Sequence, residues 1–211
     1  MLADLKISPP TVSKYYRKFR KACLIQESQA IHQVGGPGQS VEIDETQLCR
    51  KDKGKGRPRI GSDVWVFGGV CRETKKRFSE VVESRNRPTL SKLTEKYIRA
   101  GTRVMSDKWP AYQGLETWGD FTHLTVNHAS NFVDPITGAH TQTVERMWRD
   151  MKEKEKAMHG IPKKDAPAYV AEYLVRSRWK LSGTPPFEGA IALVAGTDWP
   201  SRSETLAKPR D

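Results

Sequence analysis

Cysteine is scarce: Cys23, Cys49 and Cys71 are the whole complement, odd in number and far apart. With no CxxC pair among them, neither a disulfide framework nor a zinc ribbon is supported. Isolated thiols suit a reducing compartment, cytosol or nucleus. Long apolar runs are missing as well. None approaches the roughly 18 residues needed to cross a bilayer, and Met1–Lys6 lack the apolar stretch of a secretory signal. Acid is short relative to base, 25 Asp and Glu against 36 Lys and Arg, for a net charge of +11. That balance favours a polyanionic partner, nucleic acid ahead of an anionic membrane.

What is present argues for a folded chain. The length of 211 residues suits one domain with short appendages. Apolar residues make up 36%, and six Trp and six Tyr are spread along the chain, which a disordered sequence would lack. Residues 7–24 open with Ser8, Pro9 and Pro10 and place Val12, Tyr15, Tyr16, Phe19 and Cys23 at helical spacing. Its other faces carry Lys14, Arg17, Lys18, Arg20 and Lys21, so it reads either as the last helix of a helix-turn-helix or as a solvated basic helix. Gly35, Gly36, Pro37 and Gly38 form a linker, after which strands are predicted at 40–46, 64–70 and 78–82. Between the first two, residues 50–59 (RKDKGKGRPR) carry six basic residues, one acid and two glycines, a loop and not a packed element.

A helix at 89–99 ends at Gly101, and a strand at 102–105 leads into Ser106 and Asp107. A short helix at 109–115 and a strand at 121–126 follow, then a loop over 127–140. Residues 141–158 carry the clearest helical stripe, Val144, Met147, Trp148, Met151 and Met158, with Thr141 placed to cap its start. A last helix spans roughly 167–180, and the Pro-, Gly- and Ser-rich residues after Leu181 read as loose. Three strands followed by alternating helices and strands is the order of an α/β, RNase H-like fold: a mixed five-stranded sheet flanked by helices, here with a short N-terminal helical segment.

Phosphoryl transfer on DNA needs an activated attacking oxygen and a leaving oxygen relieved of charge. Two divalent ions about 4 Å apart serve both needs when carboxylates hold them. The sequence places Asp44 in the first strand, Asp107 at the end of the fourth and Glu145 one turn into the long helix. Lys152, seven residues after Glu145, falls on the same helix face. Glu42 and Glu45 flank Asp44, are expected on the opposite face of the sheet, and are not assigned.

The runs VEIDET (41–46), WVFGGV (65–70), GTRVMSDKWPAY (101–112) and VNHASNFVDPITGAHTQTVERMWRDMK (126–152) resemble the Merlin superfamily of DDE transposases and the related bacterial ISXO-type insertion-sequence transposases. The resemblance covers residues 38–182, and its last run is the most specific. It implies that Asp44, Asp107 and Glu145 are catalytic acids holding two Mg²⁺ or Mn²⁺ ions. It adds Lys152 as the lysine that follows the third acid, and His128, with Asn127, as a further candidate site residue. Trp109 and Tyr112 match the motif as packing residues.

The expected organisation is a partial helix-turn-helix DNA-binding segment with linker at 1–34, a catalytic domain at 38–182 and a flexible tail at 183–211. Lys51, Lys53, Lys55, Arg57, Arg59 and Lys152 are the predicted DNA-phosphate contacts. The partners implied are transposon terminal repeats and target DNA, bound by a homodimer. The expected setting is the nucleus of a eukaryote, or the cytoplasm or nucleoid of a bacterium. A catalytically inactive, domesticated DNA-binding protein is the alternative. An RNase H-like nuclease acting on RNA–DNA hybrids or junctions ranks third.

Overall fold

The computed structural model describes residues 8–29, 31–48, 64–127, 132–158 and 160–196. Five strands form one sheet: β1 (Ser40–Leu48), β2 (Val64–Cys71), β3 (Arg77–Val82), β4 (Thr102–Asp107) and β5 (Phe121–Val126). Their order across the sheet is β3-β2-β1-β4-β5. β1, β2 and β3 pair antiparallel, while β4 pairs parallel with both β1 and β5. This is the mixed RNase H-like sheet, and every strand lies where alternation and β-branched residues predict one.

One face of the sheet is covered by α2 (Arg87–Tyr97) and by the 3-10 turns Pro110–Tyr112 and Leu115–Thr117. The predicted helix at 109–115 is thus two tight turns, parted by Gly114 at φ 72°. The core on this side joins Ile43, Phe67 and Phe78 to Leu90, Leu93, Tyr112 and Leu115. α2 starts cleanly because the Asn86 side chain accepts from the Thr89 N–H at 3.0 Å and proline follows in the first turn. The other face carries α3 (Gln142–Ala157) and α4 (Ala166–Ser182), packed through Val144, Met147, Trp148, Met151, Val170 and Leu174 against Val64, Val66 and Val70. Those α3 positions repeat at i, i+3, i+4 and i+7, one stripe of the helix.

α1 (Pro9–Gln29) lies outside α4, burying Phe19, Ala22 and Cys23. Arg20 donates to Glu172 at 2.8 Å, and Arg178 pairs with Glu27. The Cys23 thiol, pushed up to about 12 chiefly by burial, is a core group, as is buried Cys71. The tail predicted to be loose from 183 instead contains α5 (Pro186–Ala195). Prolines read as loop signals begin this helix at its first turn, where no N–H is missed. Gly189 brings it against Trp179, since a Cβ there would lie 2.6 Å from the indole. Among the described residues no helix is long and apolar enough to cross a membrane.

Candidate active site

The parallel β1–β4 ladder closes at Glu42 opposite Met105. Asp44 and Asp107 each stand two residues past that rung (44 − 42 = 2; 107 − 105 = 2). The two-residue period therefore puts the two carboxylates level with each other on the face that α3 crosses, Asp44 midway along β1 and Asp107 at the end of β4. From α3, Glu145, Trp148, Arg149, Lys152 and Lys156 form a stripe at helical spacing. With Asp44, Glu45, Thr46 and Glu153 they line an open cleft of about 510 Å³. Asp107 stands outside that lining, close enough for its charge to act on Asp44 and Glu45.

Each acid is steered by a donor. The Trp148 indole N–H donates to Asp44 Oδ2 at 3.0 Å, the Trp109 backbone N–H donates to Asp107 Oδ1 at 2.9 Å, and the Thr141 hydroxyl donates to Glu145 Oε1 at 2.9 Å. Burial, joined by the neighbouring charges of Glu45 and Asp107, pushes the Asp44 carboxyl up to about 7. Burial also raises Glu45, against the pull of the Tyr112 hydroxyl that donates to it. Tyr112, fully buried beside Glu45, is held well above its ordinary range of about 10. Asp44 and Asp107 lie close enough for their charges to repel, and the donor set is all oxygen. Both features fit a hard divalent cation such as Mg²⁺. The three predicted acids do not ring a single point: among the described residues no three His, Cys, Asp or Glu side chains are grouped to hold one ion. His128, Lys51, Lys53, Lys55, Arg57 and Arg59 lie outside the described residues.

Glu42 corrects the expectation for its face. Two residues from Asp44, it shares that side of the strand, as a period of two requires, and only Glu45 points to the other. Glu42 is fully buried and caps α3 from the sheet, accepting from the Thr143 N–H at 2.7 Å and the Val144 N–H at 3.1 Å. Arg72 donates to it at 2.6 Å. The predicted cap, Thr141, makes no side-chain bond to the helix backbone. A carboxylate placed there satisfies orphan N–H groups and complements the positive end of the helix dipole. It also fixes where Glu145 and Lys152 stand relative to Asp44.

Two further features escaped the sequence. On the far side of α3, Lys75, Arg77, Arg146, Lys154, Arg176 and Lys180 line a second cleft of about 570 Å³ with one acid, Asp150. These cations come from β3, α3, α4 and the turn before β3, so no run along the chain announces them. Trp109, expected to pack, is 40% exposed.

A family described as the ISXO2-like transposase domain matches residues 35–180, well over half of the chain. No curated protein matches it. Solved structures similar to the chain include the catalytic core domain of BIV integrase, at 16% identity and TM-score 0.45, covering 72% of this chain and 93% of that one. A simian T-cell lymphotropic virus intasome in complex with PP2A regulatory subunit B56 gamma gives 15% identity and TM-score 0.44 over 74% of this chain and 58% of that one. The HTLV-2 integrase catalytic core domain in complex with magnesium gives 12% and 0.40, over 68% and 84%.

Proposed function

Since the chain belongs to the ISXO2-like transposase family, we propose that it cuts and joins DNA by phosphoryl transfer at transposon ends, using Asp44, Asp107 and Glu145. The observation that carries this reading is the placement of Asp44 and Asp107 two residues past one shared rung, under a helix that turns Glu145 and Lys152 toward the cleft that Asp44 lines. Asp44 and Asp107 would hold divalent ions, Mg²⁺ or Mn²⁺, with Glu145 completing the set. Bound there, the ions supply an acidified water as attacking group and charge relief at the leaving oxygen.

The chain's own groups do the rest. Trp148 and Trp109 hold two carboxylates in fixed orientations through N–H donors, so little reorganisation is left for the moment of reaction. Lys152, Arg149 and Lys156 face the cleft as cations for the DNA backbone. The basic cleft behind α3 extends that surface, and Lys51, Lys53, Lys55, Arg57 and Arg59 remain proposed phosphate contacts, with His128 a proposed site residue. Binding through so many cations would be strongly salt-dependent. The assembly proposed is a homodimer that brings two such sites to two DNA ends.

Incubation of supercoiled plasmid with the protein and Mg²⁺ or Mn²⁺ tests the reading. Metal-dependent nicking by wild type that Glu145→Ala abolishes supports it. DNA binding without nicking by either protein would favour the non-catalytic DNA-binding alternative.

A further inference from the structure

Beside Asp107, at the end of β4, three side chains form a layered stack. Trp65, second residue of β2 and opposite Gln47 of β1 and Val82 of β3, stands on the α2 face of the sheet, toward the end at which β4 delivers Asp107. Arg85, three residues past Val82, lays its guanidinium 3.6 Å from the Trp65 ring centroid. Trp109 caps the stack, with the same guanidinium 5.0 Å from its ring centroid. The three come from separate parts of the chain and meet only through the fold.

The chemistry of this stack goes beyond core packing. Trp65 is half-buried against the core, which anchors the base of the stack. Guanidinium is planar and weakly hydrated and stacks readily between aromatic rings. It braces Trp109 from one side while leaving that residue 40% exposed. Of the five tryptophans among the described residues, Trp109 alone is exposed. This exposed tryptophan is held from behind by a cation and lies two residues from a carboxylate that its own N–H orients. A flat aromatic ring in a cationic setting suits a nucleobase, and a base offers its face only when it is unpaired.

We propose that Trp109, braced by Arg85 on Trp65, is a stacking platform for an unpaired DNA base next to the cutting site. This rests on the DNA-cutting reading above and adds to it a substrate feature: the strand beside the cut is frayed and one of its bases lies on Trp109. A duplex opened at this point exposes its phosphate to the cleft from a flexible strand, which a closed helix does not.

The test compares a blunt duplex with the same duplex carrying a short single-stranded tail, 2-aminopurine being the first unpaired base. Kd is read by anisotropy and stacking by 2-aminopurine quenching. Wild type is expected to bind the tailed DNA more tightly and to quench the probe. Trp109→Ala, which keeps the backbone N–H that orients Asp107, should weaken tailed binding by about 5- to 100-fold, abolish quenching, and weaken blunt-duplex binding far less. Trp109→Phe should keep part of both signals, and Arg85→Lys, which keeps the charge and loses the plane, should weaken them. If Trp109→Ala matches wild type on both DNAs, or loses both equally, the platform is wrong while DNA binding stands. Failure of wild type to bind either DNA overturns the platform together with the reading it rests on.

Discussion

The indole Nε1 of Trp148 donates to Oδ2 of Asp44 at 3.0 Å, tying the middle of α3 to the strand it crosses. The bond opposes the burial that pushes Asp44 up. Trp148→Phe keeps most of the ring and removes the donor. It should cost about 1 kcal/mol of stability and raise the Mn²⁺ concentration needed for half-maximal nicking by roughly tenfold, a factor equal to about 1.4 kcal/mol. An unchanged Mn²⁺ requirement would show that Asp44 needs no orientation from the indole.

Glu42 serves the same geometry from below. Removing it leaves Arg72 and the first N–H groups of α3 without their buried partner. Glu42→Ala should therefore destabilise by about 3–5 kcal/mol, measured by urea unfolding, with Glu42→Gln intermediate. A loss below about 1 kcal/mol for the alanine variant would mean that another group caps α3.

Asp44 gives a pH signature in EDTA. Its carboxyl keeps its proton to about pH 7 in the folded protein, and loses it near pH 4 when unfolded. Between those values unfolding releases a proton, so the stability this group contributes is full below about pH 4 and lost as pH rises through 7. The Asp44→Asn variant does not titrate. Its stability relative to wild type should rise by ~2–4 kcal/mol between pH 4 and pH 8 and then level off. A difference that stays flat across that range would contradict the buried, charge-crowded environment assigned to Asp44.

Gly68 pairs with Asp44 across β1 and β2. A Cβ at that position would lie 2.6 Å from the Phe78 carbonyl oxygen and 2.7 Å from Trp148 Cη2. The missing side chain is the space into which Trp148 fits on its way to Asp44. Gly68→Ala should cost about 1–3 kcal/mol and shift the Trp148 emission spectrum. A neutral effect on both would show that α3 can ride higher over the sheet.

Much of this arrangement is legible in the chain. Alternating β-branched residues mark all five strands, and the Val144–Met151 stripe marks α3, because both patterns are local. Asp44 within β1 and Asp107 at the end of β4 are legible for the same reason. The rest depends on contacts between distant residues. Glu42 reaches the N–H of Thr143 across 101 residues, so no local cap signal marks it, although counting by twos along β1 puts it on the face of Asp44. α5 hides behind prolines and a glycine that serve a helix start and a close approach to Trp179. The Trp65–Arg85–Trp109 stack and the basic cleft behind α3 draw on separate elements, and nothing in their spacing along the chain foretells that they meet.

The most direct test of the proposed chemistry is Asp107→Asn, assayed for plasmid nicking with Mg²⁺ and for DNA affinity in the same buffer. The substitution keeps shape and an acceptor for the Trp109 N–H while removing one negative charge from the crowded sheet end. Nicking should fall by at least about 100-fold, roughly 2.7 kcal/mol, with DNA affinity equal to or above that of wild type. Nicking retained at the wild-type rate would contradict the assignment of Asp107 and, with it, the active site built around Asp44.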